Sequence, residues 1–446
     1  MPGGANAPAG SRGSFEPHGG DARLSTGLAP RRAAWRLLEL VGSGRPFDQA
    51  LTETLRHLPD ADRRLAHELA AGTLRNAGVL DLAIAPHVKG GWERVPSSIR
   101  NLLRLGAYQL TGLDRVPPHA AVSTTVSLAR EVSGGKTAAF TNAVLRRVAE
   151  DAPRVVPGRA THPGWLVSRW TARFGPEDTA RLLQWNDTRP RLVIQPARWD
   201  PDRIRAAWRE AGVEFTEAPF GAGLIPDSVT RPRLLPGFEE GGFFVQEVSQ
   251  ALAVQYFQVP AGAAVYDAAA APGGKTLALG RTARLVAAGD LRRERVRRLR
   301  ENLARAGSGR EHPLVADAAR PPIRPVDAVV LDAPCTGTGV LARHPEGRWR
   351  VTREGLARLT EEAAHLLRAL AEAVRPGGLL CFSSCSLEPE ENEGQIENFL
   401  RDDRRYRREP STAVPPELLT PEGDLVLLPQ RHHTDGAYAC RMRRVA

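Results

Sequence analysis

The stretch Val265–Thr276, VYDAAAAPGGKT, limits what this chain can fold into more than any other segment. It reads as the end of a short apolar strand, a loop of small residues, and the first turn of a helix. Val265 and Tyr266 suit a buried strand end, and Asp267 closes it. Pro272 presets the backbone, while Gly273 and Gly274 lack the Cβ atoms that would keep a ligand away from the main chain. A helix starting near Lys275 turns free N–H groups and the positive end of its dipole toward that space, which suits a ligand with polar or anionic groups.

Several readings of this corner compete. A P-loop needs glycine five residues before the Gly-Lys pair, where this chain has Ala269. The dinucleotide fingerprint G-x-G-x-x-G is absent. A pocket for S-adenosylmethionine at the first strand of a Rossmann-like sheet needs an acid at the end of the next strand to hold ribose hydroxyls. Asp290, ending Leu285–Asp290, lies 23 residues after Asp267 and meets that need. An ordinary strand–turn–helix corner also satisfies the pattern.

The chain has 446 residues, enough for two or three domains. Its four cysteines make no disulfide scaffold, so a reducing compartment is expected. No run approaches the roughly 18 apolar residues of a membrane span, and the N-terminus lacks the apolar core of a secretory signal. A cytoplasmic protein with no membrane partner is expected. The formal charge of +10 favours a polyanion such as nucleic acid. Codon bias explains why only Lys89, Lys136 and Lys275 are lysines, but not the excess of base over acid.

Residues 1–29, rich in Gly, Pro, Ala and Ser, are expected to be a disordered tail. Residues 30–155 carry apolar positions at helical spacing with no strand alternation, which predicts an all-α bundle. On it, Arg100, Arg104, Arg146 and Arg147 form either an RNA-docking face or a solvated one. Pro153–Pro163 reads as a Pro- and Arg-bearing linker, and residues 156–245 as a small α+β connector with helices over 165–185 and 201–212 and strands at 192–194 and 213–215. From 246 to 446 the pattern alternates strand and helix, with strands at 265–267, 285–289, 313–316, 326–331, 378–383, 425–428 and 437–443. That is the α/β pattern of a mostly parallel sheet, whose ligands bind beyond the carboxyl ends of its strands. Asp267, Asp290, Asp317 and Asp332 all fall at such ends.

Two further strand ends carry thiols. Asp332-Ala333-Pro334-Cys335-Thr336-Gly337-Thr338-Gly339 sets a carboxylate and a thiol in a tight turn, and Ser384-Cys385-Ser386 sets a second thiol past the next apolar run. The acidic run Glu388–Glu393 is expected in the first turn of a helix, where the dipole favours carboxylates. Cys381 and Cys440 read as small buried hydrophobes, whereas Cys335 and Cys385 lie in loops where thiols become reactive. No C-x-x-C or suitably spaced His pair accompanies them, so no metal is expected.

These motifs resemble the Nop2/Sun family of RNA cytosine-C5 methyltransferases. The family's loop reads D-x-C-A-A-P-G-G-K-T, its fourth motif D-A-P-C-[ST]-G-x-G, and its sixth [ST]-C-S followed by E-N-E. The chain matches with Asp267–Thr276, Asp332–Gly339, Ser384-Cys385-Ser386 and Glu391-Asn392-Glu393. It departs at Ala269, where the family has a loop cysteine, and at Ile194-Gln195-Pro196, where the family has Arg-Val-Asn. Over Arg100–Leu110, Pro118–Val122 and Phe140–Arg147 the bundle resembles the NusB fold of RNA-binding helical domains. The whole architecture is similar to the RsmB/Sun type of bacterial 16S ribosomal RNA methyltransferases.

The resemblance implies S-adenosylmethionine as cofactor, ribosomal RNA, the 16S molecule, as partner, and a monomeric enzyme. It implies that Cys385 attacks C6 of cytosine, that Cys335 assists release of the product, and that Asp332 holds the N3/N4 edge and borders the cofactor. It implies that Ala269, Ala270, Ala271, Pro272, Gly273, Gly274 and Lys275 wrap the methionine part. Asp290 would hold the ribose, Asp317 the adenine amino group, and Arg295 would orient the pocket. An assembly or antitermination factor with a scaffold-only methyltransferase domain is the alternative. A small-molecule or DNA methyltransferase is a third reading, disfavoured by the basic charge.

Overall fold

The structure, a computed structural model, describes residues 20–151, 161–227 and 231–445. The chain divides into two compact units, Met1–Thr161 and His162–Ala446. The first is helical throughout its described residues: α1 (Gly20–Gly42), α2 (Phe47–Leu55), α3 (Asp60–Arg75), α4 (Ala77–Ile84), α5 (Ser97–Thr111) and α6 (Pro118–Asp151). Leu37, Leu69, Leu80, Leu102, Leu105, Leu128 and Leu145, at the expected helical spacing, meet in one core. Helix α1 begins inside the stretch expected to be disordered up to residue 29, and Leu28 packs on this core. Expectations for residues 1–19, and for most of the linker expected over 153–163, fall outside the described residues. Arg104 forks onto Asp81 with both contacts at 2.6 Å, and Arg100 pairs with Glu93 at 3.4 Å. Arg146 and Arg147 are exposed on α6.

The second unit opens with α7 (Gly164–Phe174), α8 (Pro176–Asn186), β1 (Ile194–Pro196), α9 (Pro201–Glu210), β2 (Phe215–Glu217), β3 (Leu224–Pro226) and β4 (Phe243–Val245). Asp200 caps α9 by accepting from the Arg203 N–H at 2.9 Å, and Pro201 fills the first helical position, where its missing N–H costs nothing. The strands form a small antiparallel sheet in the order β2-β3-β1-β4. Trp208 of α9 packs edge-on against Phe215 and Phe243 beneath it.

The main sheet follows, through α10 (Val248–Phe257), β5 (Ala264–Asp267), α11 (Gly274–Gly280), β6 (Leu285–Asp290), α12 (Arg293–Ala306), β7 (Glu311–Val315), β8 (Val326–Asp332), α13 (Gly347–Arg350), α14 (Arg353–Ala371), β9 (Val374–Ser384), α15 (Glu393–Asp402), β10 (Tyr406–Arg408), β11 (Leu425–Leu427), α16 (Pro429–His432) and β12 (Ala437–Arg444). Its order is β10-β12-β9-β8-β5-β6-β7, with β11 paired to β12. The five strands from β9 to β7 are parallel, and β12 runs antiparallel to β9. Strand β5 has β6 on one side and β8 on the other, so the strand order reverses there, and the crevice at its carboxyl end is the expected ligand site.

Alternation along the central strands divides the core between the two faces. Val265, Val330 and Cys381 pack with Leu252 and Tyr256 of α10. Tyr266, Val329, Leu331 and Phe382 pack on the other side with Leu367 and Leu370 of α14 and Ile396 of α15. Cys381 and Cys440 are wholly buried among these side chains, as expected of small hydrophobes. Phe382→Ala removes a ring that is 0 % exposed in the central sheet, so a loss of about 3–5 kcal/mol is expected in chemical unfolding of the second unit. A loss below about 1 kcal/mol contradicts this assignment of the core.

Candidate active site

The glycine loop crosses the carboxyl edge of the sheet where β5 ends. Hydrogen bonds prolong the strand pairing into it: Ala268 N–H donates to Val330 O at 2.9 Å and Ala270 N–H to Gly289 O at 2.8 Å. Gly273 holds φ +111°, and a Cβ there would lie 2.8 Å from Leu299 of α12. Only glycine meets both conditions. On α12, Arg295 and Asn302 are two turns apart and share a face. Arg295 Nη2 donates to Ala271 O at 2.6 Å, and Asn302 Nδ2 to Pro272 O at 2.8 Å. The loop is therefore gripped from outside, and its inner side is left to a ligand.

Two acids approach this loop, and a third lies farther along the same sheet edge. Asp267 is 1 % exposed, and its Oδ2 accepts from Thr276 Oγ1 at 2.6 Å, while its Oδ1 is buried with no hydrogen-bond partner. Burial pushes its carboxyl up from 3.8 to about 6, against the lowering effects of Thr276 and Lys275. Asp290 uses Oδ1 to accept from Arg292 N–H at 3.1 Å, and its buried Oδ2 makes no hydrogen bond and faces Arg295 Nη2 at 3.3 Å. Asp317, two residues past the end of β7, is exposed and caps its own turn by accepting from Ala319 N–H at 2.9 Å. A glycine cradle with two buried carboxylate oxygens lacking hydrogen-bond donors fits a ligand that brings hydroxyl and ammonium donors, and S-adenosylmethionine carries both.

The two loop thiols meet. Strands β8 and β9 are adjacent and parallel, with Asp332 in register with Ser383, and Ala333 N–H donates to Ser383 O at 2.8 Å. The turns that follow bring Cys335 Sγ to 3.4 Å from Cys385 Sγ, both partly exposed. The hydrogen bond to Cys385, together with close protein surroundings, raises the Cys335 thiol well above the ordinary range. Either sulfur can donate in this contact, and the raised pKa favours Cys335 as the thiol that keeps its proton. Asp332 stands at the base of this pair. Its Oδ1 accepts from Ser383 Oγ at 2.9 Å, and its Oδ2 pairs with Lys275 Nζ at 2.8 Å. The buried Lys275 also donates to Gln250. Lys275 thus ties the glycine loop to the thiol turn, a contact the linear spacing of the motifs does not reveal.

The acidic run after Cys385 differs from its expected place in a helical first turn. Pro389–Glu391 forms a single 3-10 turn, and α15 starts only at Glu393. Proline fixes φ without offering an N–H, so the chain turns before the helix begins. Glu388 and Glu391 point inward as acceptors, while Glu390 stays exposed and pairs with Arg169. Glu391 takes the Thr336 N–H at 2.8 Å and the Thr336 hydroxyl at 2.6 Å, and burial raises its pKa. Glu388 takes the Trp170 indole N–H at 3.0 Å and pairs with Arg169, both from α7. Asn392 donates to Ser386 O at 2.9 Å. Gly339 N–H donates to Cys385 O at 2.9 Å, and Gly436 N–H to Gly339 O at 2.7 Å. A Cβ on Gly339 would lie 2.8 Å from both Cys385 O and Gly436 Cα, so this three-loop contact requires glycine. Beside it, Arg343 Nε pairs with the buried Asp435 at 2.5 Å. Arg169, Trp170, Arg343, Glu388 and Asp435 were not expected at the site.

Asp267 supplies a test. Its folded pKa lies above its unfolded value, so its contribution to stability is full below about pH 4 and is lost as pH rises through about 6. Above that range the buried charge costs about 3 kcal/mol relative to the protonated group. Asp267→Asn removes this titration. Without ligand, the difference in unfolding free energy between variant and parent should move in the variant's favour by about that amount from pH 4 to pH 7, while affinity for S-adenosylmethionine falls. A difference that does not change with pH contradicts the assignment.

Comparison with known proteins identifies the family of the chain. Residues 254–443 match the family 16S rRNA methyltransferase RsmB/F, and residues 28–150 match the NusB family. The crystal structure of PH0851 superposes with a TM-score of 0.80 at 24% identity, over 93% of this chain and 98% of that one. NSun6 from Pyrococcus horikoshii superposes with a TM-score of 0.56 at 18% identity, over 64% of this chain and 98% of that one. A ribosomal RNA small subunit methyltransferase B from Pseudomonas putida is 32% identical over 94% of this chain and 99% of its own length. A probable ribosomal RNA small subunit methyltransferase B from Synechocystis is 31% identical over 94% of this chain and 100% of its own. At that identity over nearly the full length of both chains, this protein belongs to the ribosomal RNA small subunit methyltransferase B family.

Proposed function

We propose that the protein transfers a methyl group from S-adenosylmethionine to C5 of a cytosine in 16S ribosomal RNA, through a covalent bond between Cys385 and C6. The observation that carries this reading is the pair of thiols 3.4 Å apart at the ends of adjacent strands, beside an aspartate bound to the lysine of the glycine loop. C5 of cytosine is too weak a nucleophile to take a methyl group unaided. Covalent addition at C6 turns the ring into an enamine that can. The base must leave its stack for a thiol to reach that face.

Cys385 is the nucleophile. After losing its proton to solvent, its sulfur pair forms the bond to C6, and the ring electrons move toward N3, which takes up a proton. Asp332 holds the N3/N4 edge and stabilises that protonated ring. Its oxygens already face Ser383 and Lys275, but each carboxylate oxygen has two acceptor sites, so room for the base remains. Ala269, Ala270, Ala271, Pro272, Gly273, Gly274 and Lys275 line the methionine part of the cofactor, Asp290 takes the ribose hydroxyls, Asp317 the adenine amino group, and Arg295 fixes the loop. When bound, S-adenosylmethionine supplies the electrophilic methyl group. The C5 proton then leaves to solvent, its electron pair restores the C5–C6 double bond, the C6–S pair returns to Cys385, and N3 gives its proton back. The Cys335 S–H, held protonated by its surroundings, assists by donating to the departing sulfur.

The two thiols therefore act at opposite ends of the reaction. Cys385→Ala should give no RNA adduct on a denaturing gel. Cys335→Ala should accumulate a protein–RNA conjugate that survives denaturation, and the double variant should behave like Cys385→Ala, because the earlier step governs. A stable conjugate from Cys385→Ala, with none from Cys335→Ala, reverses the roles.

A further inference from the structure

We propose that Trp349 of α13 is a stacking platform for a nucleobase flanking the target nucleotide; this rests on the ribosomal RNA reading above. The chain has eight tryptophans, and seven are buried or half-buried. Trp349 alone is exposed, at 41 %. That exposure is built in. Its neighbour Arg348 is 0 % exposed, with Nη1 on Asp187 Oδ1 at 2.7 Å and Nη2 donating to Asn186 O. On the other side Val351 is buried, and its N–H closes the turn onto Gly347 O at 3.1 Å. Gly347 lies so close to Leu341 that a Cβ would approach Leu341 Cδ2 to 2.9 Å. Anchored at Arg348, Val351 and Leu341, the turn leaves Trp349 and Arg350 as its exposed residues.

The position suits a substrate contact. Leu341 shares a hydrophobic cluster with Leu387, two residues beyond Cys385, and with Trp170. Arg343, six residues before Trp349, pairs with Asp435, the neighbour of the Gly436 that touches Gly339. The platform therefore stands on the same supports that hold the thiol turns. Its charge suits nucleic acid. From 342 to 354 the acids are Glu346, which is buried, and Glu354, against exposed Arg350 and an Arg353 that lies over the Trp165 ring. An aromatic face accepts any base by stacking, and an adjacent guanidinium takes the phosphate, a combination typical of single-stranded RNA sites. A single indole among cations is too small and too polar a patch for a protein partner.

The test uses the full chain and a 16S ribosomal RNA fragment that the parent methylates. Trp349→Ala should weaken RNA binding about five- to a hundred-fold. Trp349→Phe should restore most of the affinity. The slope of log Kd against log salt should stay unchanged in Trp349→Ala, because stacking releases no counterions, whereas Arg350→Ala should lower it. Calorimetry with S-adenosylmethionine should show unchanged cofactor affinity in Trp349→Ala, which excludes misfolding. Binding by Trp349→Ala within twofold of the parent overturns the platform. So does an equal loss in Trp349→Phe, which points to a merely structural ring. A parent that methylates none of the small-subunit RNA contradicts the ribosomal RNA reading itself, and the platform with it.

Discussion

Everything at the candidate site depends on two sulfur atoms being held 3.4 Å apart by separate turns. Neither turn does this alone. Parallel pairing of β8 with β9 fixes where both begin, and the register of Asp332 with Ser383 leaves Cys335 three residues past β8 and Cys385 immediately past β9. The contact between Gly339 and Gly436, with Cys385 O beside it, then brings the turns together at a distance no side chain would allow. A sheet edge is rigid where its strands are buried on both faces, and these strands are. The site inherits its geometry from that rigidity.

Around this pair, acids serve as internal acceptors rather than as surface charge. Glu391 fixes Thr336, next to Cys335, and Glu388 joins the turn after Cys385 to Trp170 and Arg169. The α+β segment before the main sheet thereby becomes part of the support of the thiol turns, since α7 supplies those donors. Buried carboxylates are stable only when hydrogen-bonded, so removing one donor leaves a costly orphan. Lys275 and Asp332 add a direct link between the cofactor loop and the thiol turn. Any ligand that shifts the glycine loop is felt at Asp332.

Much of this was legible before any coordinates. The central strands are apolar runs closed by aspartate, and Asp267, Asp290 and Asp332 are indeed the last residues of β5, β6 and β8. Asp317 lies just beyond its strand and caps a turn, which sequence pattern cannot separate from a strand end. The short strands β3, β4 and β10 have three residues each, too few for alternation to show. Helix α1 starts earlier than composition suggests, because Leu28 finds a place in the core that small, polar neighbours conceal. The pairing of Trp170 with Glu388 spans 218 positions and leaves no periodic trace. The acidic run fits its expected helical first turn only at Glu393, because the proline before Glu390 makes a 3-10 turn first and burial draws Glu388 and Glu391 inward.

On the proposed function, the paired thiols deliver a methyl group to C5 of cytosine in small-subunit ribosomal RNA. Nucleoside analysis by mass spectrometry tests it most directly, on unmodified 16S RNA incubated with the protein and isotopically labelled S-adenosylmethionine. The account predicts label in 5-methylcytidine, and none when Cys385 is replaced by alanine. Label at a ring nitrogen or a ribose hydroxyl, or 5-methylcytidine formed as well without Cys385, would contradict it.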